Sequence, residues 1–334
     1  MSELLTFTDR GIFCEKANIY IDPWKPVDRA LITHGHSDHS RYGHAHYLCT
    51  DSARPVIKYR LGNINIESVP YGQTLWINGV KFSFHPAGHI VGSAQIRVEY
   101  KGQIWVVSGD YKVENDGISE PFEPIQCHVF ITESTFGLPV YRWENQQSVF
   151  EEINHWWNKN KSEGKVSILS AYALGKAQRV LSGLDTSIGP VYGHGAVENT
   201  TDILRKQGIH LPPSSKVPAD FKRKGMEGAF IIAPPSALDS PWIKKFQPYS
   251  LGIASGWMGL RGARRRRAAD RGFVLSDHAD WPALNSAIEQ TGAERILVTH
   301  GYTDLFSRWL TEKGYQSGIV STDYQGELSE IGEA

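Results

Sequence analysis

Arg29-Ala30-Leu31-Ile32-Thr33-His34-Gly35-His36-Ser37-Asp38-His39 is the stretch from which the rest of this chain can be read. Its first five residues read as a buried strand that delivers His34 at its tip. His34 and His36 lie two apart. In a loop that is still near-extended, such residues point the same way, so both can grip one ion. Asp38 and His39 follow at once and can face a second ion as the chain turns into a helix. Imidazole and carboxylate are the ligands expected for Zn, Mn or Fe at a hydrolytic site. Four such groups are separated only by the small Gly35 and Ser37, which makes a chance surface histidine cluster the weaker reading.

Further candidate ligands sit in similar places. His89 lies in Ala87-Gly88-His89-Ile90-Val91-Gly92-Ser93, Asp110 in Val107-Ser108-Gly109-Asp110-Tyr111, and His300 in Val298-Thr299-His300-Gly301. Asp110 and His300 each follow a strand of buried type. Singly, each could be a satisfied buried polar residue. Converging on one sheet edge with the first cluster, they complete two coordination spheres.

The 334 residues allow one large domain or two ordinary ones, and a 40% hydrophobic fraction fits a folded soluble protein. The net charge of -1 does not announce a polyanion partner, so any nucleic-acid surface must be local. Three cysteines without CxxC spacing argue against a disulfide framework and point to the cytoplasm. No signal peptide and no membrane-length apolar run is visible. Short strands and turns fill the chain to about residue 135, with a hairpin turn expected at Lys101-Gly102. Residues 145–271 then alternate helix and strand as a second α/β unit, opening on an amphipathic helix from Gln146 to Lys159. The first texture returns at 272, so the middle unit reads as an insertion.

Here the motifs resemble a known family. His-x-His-x-Asp-His at 34–39, Gly88-His89, Ser108-Gly109-Asp110 and His300-Gly301 are similar to the metallo-β-lactamase fold, a four-layer αββα hydrolase of mixed α/β (α+β) class. Glu133-Ser134-Thr135-Phe136-Gly137 resembles the acidic motif that opens the β-CASP insertion of nucleases, and Ser276-Asp277-His278-Ala279-Asp280 the histidine motif that closes it. The resemblance implies a split metallo-β-lactamase domain, 1–144 and 272–334, around a β-CASP domain, 145–271. The stretch from Ala254-Ser255-Gly256-Trp257 through Arg261 to Trp281 resembles the bacterial ligase-associated DNA exonucleases, which implies a link to DNA ligase and helicase in repair.

The resemblance also implies roles. His34, His36 and His89 would hold one metal, Asp38, His39 and His300 the other, and Asp110 would bridge them. Asp22 would orient a ligand from behind. His278 would act at the scissile phosphate as general acid or charge stabiliser, oriented by Glu133. The expected cofactors are two divalent ions, with Zn²⁺ favoured by the histidine-rich set and Mn²⁺ open as the activating ion. Two cations roughly 3.5–4 Å apart neutralise an anionic phosphodiester and hold a bridging water near-deprotonated for in-line attack, with Asp38 part of that machinery.

Other residues suggest nucleic-acid contacts. Arg264-Arg265-Arg266-Arg267, with Arg261 and Arg271 nearby, is the one concentrated basic run. Ser170 and Lys176 flank a strand-to-helix junction of the kind that binds phosphate. Tyr192-Gly193-His194-Gly195 reads as a plain turn, and His44 and His46 as local packing or surface. Trp143, Trp156, Trp157 and Trp257 could stack on bases, with core packing the better reading for most of them. The expected activity is a two-metal DNA exonuclease. Its rivals are a β-CASP ribonuclease in RNA processing, a small-molecule hydrolase of the same fold, and a non-catalytic binding module.

Overall fold

A computed structural model of the chain describes residues 3–218, 226–260 and 269–324. The chain divides into two compact units, Met1–Arg142 with His278–Ala334, and Trp143–Asp277.

The first unit holds two mixed sheets. The smaller orders its six strands Thr6–Phe7, Ile12–Cys14, Ile19–Ile21, Arg29–Leu31, His46–Thr50 and Ile66–Val69. The larger orders seven: Gln316–Ile319, Arg295–Gly301, Val129–Ser134, Gln103–Val107, Ala94–Tyr100, Val80–Pro86 and Leu75–Ile77. Val129–Ser134 pairs in parallel on both sides and is buried along its whole length, from the apolar Val129, Phe130 and Ile131 to the polar Thr132, Glu133 and Ser134. Ala94–Tyr100 and Gln103–Val107 form the expected hairpin. Tyr100 pairs with Gln103, and Lys101 and Gly102 both take positive φ, 49° and 79°, as a tight two-residue turn requires.

Three apolar clusters stack this unit in layers. Ile12, Ile19, Ile21 and Leu31 of the smaller sheet meet Phe82, Phe84, Ile96, Val98 and Ile131 of the larger. On the outer side of the larger sheet, Val106, Phe130 and Ile296 pack against the helices Trp281–Thr291 and Thr303–Glu312 through Leu284, Ile288, Phe306 and Leu310. On the outer side of the smaller sheet, Ala30, Tyr47 and Cys49 cover Ile57 of the helix Arg54–Leu61. The order is helix, sheet, sheet, helices.

The second unit is one six-stranded sheet with every pair parallel, in the order Ser215–Lys216, Val191–Gly193, Phe230–Ala233, Val166–Ser170, Tyr249–Ala254, Arg271–Phe273. One face buries Val149, Ile153, Trp156 and Trp157 of the helix Gln146–Ser162, the expected amphipathic element. Asn145 caps that helix by accepting the Gln147 amide at 2.8 Å. Trp156, Trp157 and Trp257 are all buried. The strand Arg271–Phe273 belongs to this sheet, paired with Tyr249–Ala254, so the chain leaves the second unit later than the 272 read from sequence. Arg261 and Arg264, Arg265, Arg266 and Arg267 lie outside the described residues. No described helix is long and apolar enough to cross a membrane.

Candidate metal centre

Several strands end at one place in the first unit. Arg29–Leu31 runs into the loop that carries His34 to His39, Gln103–Val107 leads to Asp110, Val129–Ser134 carries Glu133, and Arg295–Gly301 carries His300. The last three strands run parallel, so their C-terminal ends share an edge. Gly109, at φ 58°, allows the close approach: a Cβ there would lie 2.8 Å from Cβ of Thr33. After His34 the chain makes bends and turns in place of the expected helix, with one helix-like bond from Ser40 N–H to the His36 carbonyl at 2.9 Å.

Asp110 is the centre of the arrangement. Its Oδ2 lies 3.5 Å from Nε2 of His34 and 3.8 Å from Nε2 of His89. Its Oδ1 lies 3.0 Å from Nε2 of His300 and 3.5 Å from Nε2 of His39. Nδ1 of His36 is 3.0 Å from Nε2 of His89, and Oδ2 of Asp38 is 3.8 Å from Nε2 of His39. Ligand atoms of His34, His36, His89 and Asp110 all fall within 4.8 Å of one another, as do those of His39, Asp110 and His300. One carboxylate thus faces two sets of imidazoles, one oxygen to each.

The donor set fits cations. Nε2 of His34, His39 and His300 and Oδ1 of Asp110 are buried without a hydrogen-bond partner, a costly state that a divalent ion would relieve. Three of the histidines are held from behind so that Nε2 is the nitrogen left to ligate. A carboxylate only accepts, so His39 donates Nδ1–H to Asp22 Oδ2, at 2.8 Å. Thr33 gives its hydroxyl proton to Asp22 and therefore accepts from Nδ1 of His34, at 3.0 Å. Thr299 gives its own to the Thr132 carbonyl and accepts from Nδ1 of His300, at 3.1 Å. Asp22 also takes the Thr33 amide at 2.7 Å, from a backbone at φ 41°.

Charge follows the same geometry. Burial, then the neighbouring His39, holds His34 well below its ordinary pKa. Burial pushes Asp110 upward but is outweighed by His39 and His300, which hold it well below the carboxylate range. Burial lowers His39, yet Asp110, Asp38 and Asp22 together raise it to about 10. In the metal-free centre His39 therefore keeps the proton while His34 is neutral.

Beside this set, both oxygens of Glu133 face Nδ1 of His278, at 2.9 and 3.0 Å, and Glu133 also accepts the Tyr111 amide at 2.8 Å. Ligand atoms of Asp110, Glu133 and His278 lie within 4.8 Å of one another. Two arginines hold the ligand loop. Arg60 donates to the Gly35 carbonyl and the Ser40 hydroxyl, and Arg41 to the Asp38 carbonyl at 3.2 Å.

Thr33, Thr299, Arg41 and Arg60 were not legible as site residues, although the dipeptide Thr-His stands at both 33–34 and 299–300 and marks the two hydroxyl relays. Ser170 ends the strand Val166–Ser170 and Lys176 begins the helix Lys176–Ser182, the junction expected from sequence. Both are buried, Lys176 with its ammonium 5.0 Å from the Tyr172 ring, and the helix Lys176–Ser182 is capped by Gly175. His194 accepts the Ala196 amide at 3.2 Å and caps the helix Gly195–Lys206. His44 is buried, while His46 is exposed beside Asp28.

No family model matches the chain. It is 30% identical over 322 residues to a probable DNA ligase of Opitutus terrae, covering 95% of this chain and 31% of that protein. It is 33% identical over 123 residues to Endoribonuclease YSH1 of Saccharomyces cerevisiae, 36% of this chain and 15% of that protein. It is 29% identical over 230 residues to an RNase J-like protein of Methanocaldococcus jannaschii, 58% of this chain and 53% of that protein. The chain thus spans between about a seventh and about half of these relatives' own lengths. Among solved structures, the crystal structure of a protein of unknown function from Enterococcus faecalis V583 matches in fold, with TM-score 0.59 at 9% identity over 88% of this chain and 79% of that one.

Proposed function

From its relatedness to β-CASP nucleases of the metallo-β-lactamase type and to a ligase-linked protein, we infer that this chain is a metal-dependent nuclease. The observation that carries the reading is Asp110 facing two imidazole sets through separate oxygens, with the Glu133–His278 pair within 4.8 Å. The first unit is then a metallo-β-lactamase sandwich, a reading its helix–sheet–sheet–helix layering supports, and the second unit an inserted β-CASP domain.

His34, His36, His89 and Asp110 would hold one ion, and Asp38, His39, His300 and Asp110 the other. When bound, two divalent ions supply charge neutralisation for the phosphodiester and a water nucleophile active near neutral pH. Zinc suits the imidazole-rich set, and manganese is the alternative. His278 delivers a proton to the leaving oxygen, since Glu133 accepts from its Nδ1 and stabilises the charged ring. Asp22, Thr33 and Thr299 keep three imidazoles turned with Nε2 inward. Arg261 and Arg264, Arg265, Arg266 and Arg267 are the proposed phosphate contacts.

The proposed substrate is DNA and the proposed mode exonucleolytic, in repair alongside a ligase and a helicase, because the similarity that covers 95% of the chain is to a probable DNA ligase. The second reading is an RNA-processing enzyme, favoured by the endoribonuclease and RNase J-like relatives. The free thiols Cys14, Cys49 and Cys127 support a cytoplasmic setting. Digestion of 5′- and 3′-labelled DNA and RNA strands, single and double, under a Zn²⁺ and Mn²⁺ series tests this. Stepwise loss from DNA ends supports the exonuclease reading, cleavage confined to RNA replaces it with the second, and no cleavage of either rejects both.

A further inference from the structure

We propose that Tyr324 is a positioning residue for the ion held by His39 and His300. The inference rests on the two-metal reading above. A single hydrogen bond from Nδ1 to Asp22 anchors one atom of the His39 ring, but the ring can still tilt about that atom. Tyr324 removes the tilt. Its ring stacks on His39 with centroids 4.3 Å apart and planes 18° from parallel.

Tyr324 is itself fixed at several points. Its hydroxyl donates to the Asp22 carbonyl at 3.0 Å, and its ring meets the edge of Trp24 at 5.6 Å and 82°. The preceding carbonyl, of Asp323, accepts from Arg41 Nη2 at 2.6 Å. These contacts close a cycle: Tyr324 stacks on His39, His39 is held by the Asp22 carboxylate, and the Asp22 carbonyl holds Tyr324. The ring also lies edge-on to His300, at 5.6 Å and 84°. Both imidazoles that it meets thus belong to the same ion position. Orienting partners behind ligands typically change metal affinity by about 10–100-fold.

The test is a competition titration of the chelator-stripped full chain with Zn²⁺, comparing wild type with Y324L and Y324F, with thermal unfolding of each metal-free variant as a fold check. Wild type binds two ions in resolvable steps. Y324L leaves one step at the wild-type value and weakens the other by about tenfold or more. Y324F keeps the stacked ring and stays near wild type. Should Y324L not fold, Y324M reads the same step. Two unaltered steps in the leucine or methionine variant overturn the proposal, as does equal weakening of both steps, which marks a merely structural role. A wild-type chain that takes up fewer than two ions overturns the two-metal reading itself, a result distinguishable from either.

Discussion

The Asp22 carboxylate accepts from Nδ1 of His39 at 2.8 Å, and the same group takes both the amide and the hydroxyl of Thr33. Through Thr33 it reaches His34. One buried acid from the turn after the strand Ile19–Ile21 therefore sets the tautomer of a histidine in each of the two imidazole sets around Asp110.

Asp22→Asn tests that relationship. An amide has one acceptor oxygen and presents two N–H donors, so it cannot accept from both Thr33 and His39 as the carboxylate does. Metal affinity at the His39 position falls by about 10–100-fold. Thr299→Val acts on the same position through His300 and gives a smaller loss. Chelator-competition titrations measure both, and wild-type affinity in D22N would remove Asp22 from the account.

His278→Ala and Glu133→Gln separate proton transfer from metal binding. We expect kcat to fall by about 10²–10⁴-fold in H278A, with metal content at the wild-type level. E133Q keeps an oxygen for the Tyr111 amide but loses the charge facing His278, so its activity falls at constant metal content. Equal activity of H278A and wild type, with metals retained, contradicts the role.

Much of this centre was legible because its ligands lie in local patterns. His34 to His39 crowd into one loop, and Asp110 and His300 each follow an apolar strand. What was hidden comes from far along the chain and carries no motif. Arg60 reaches the loop from a neighbouring helix, and Tyr324 stacks on a residue far from it in sequence. The strand Arg271–Phe273 was misassigned because a short strand before a polar turn reads alike in either sheet, and only its pairing with Tyr249–Ala254 decides. The burial of Ser170 and Lys176 was not legible either, because burial is set by tertiary packing.

Metal uptake should release a proton. His39 is raised to about 10 in the metal-free centre, so at neutral pH a metal must displace its proton. Affinity at that position then falls by about tenfold for each unit that pH drops below this value. The raised value also carries a stability effect of the metal-free chain: it is fully present below the ordinary pKa of 6.5 and is lost as pH rises through about 10. Calorimetric titrations in buffers of different ionisation enthalpy read the proton count. PH-independent uptake contradicts the assignment.

His44 makes the opposite prediction at acid pH. It is buried, and burial lowers it from 6.5 to about 4, outweighing a contact with the Pro23 backbone that raises it. The unfolded chain takes up a proton there before the folded one does, so this group removes stability as pH falls from 6.5 towards 4. His44→Phe cannot titrate and should lose less stability than wild type over that window in denaturant unfolding. Parallel curves for the two proteins would contradict the effect.

The central claim is that two ions straddling Asp110 do phosphodiester chemistry. Its most direct test is nucleotide release from a labelled DNA strand by chelator-stripped protein, titrated back with Zn²⁺ or Mn²⁺, with Asp110→Asn as control. The account predicts no release without metal, full recovery only as the second equivalent binds, and no recovery in D110N. Release that survives stripping, or that saturates at one equivalent, contradicts it.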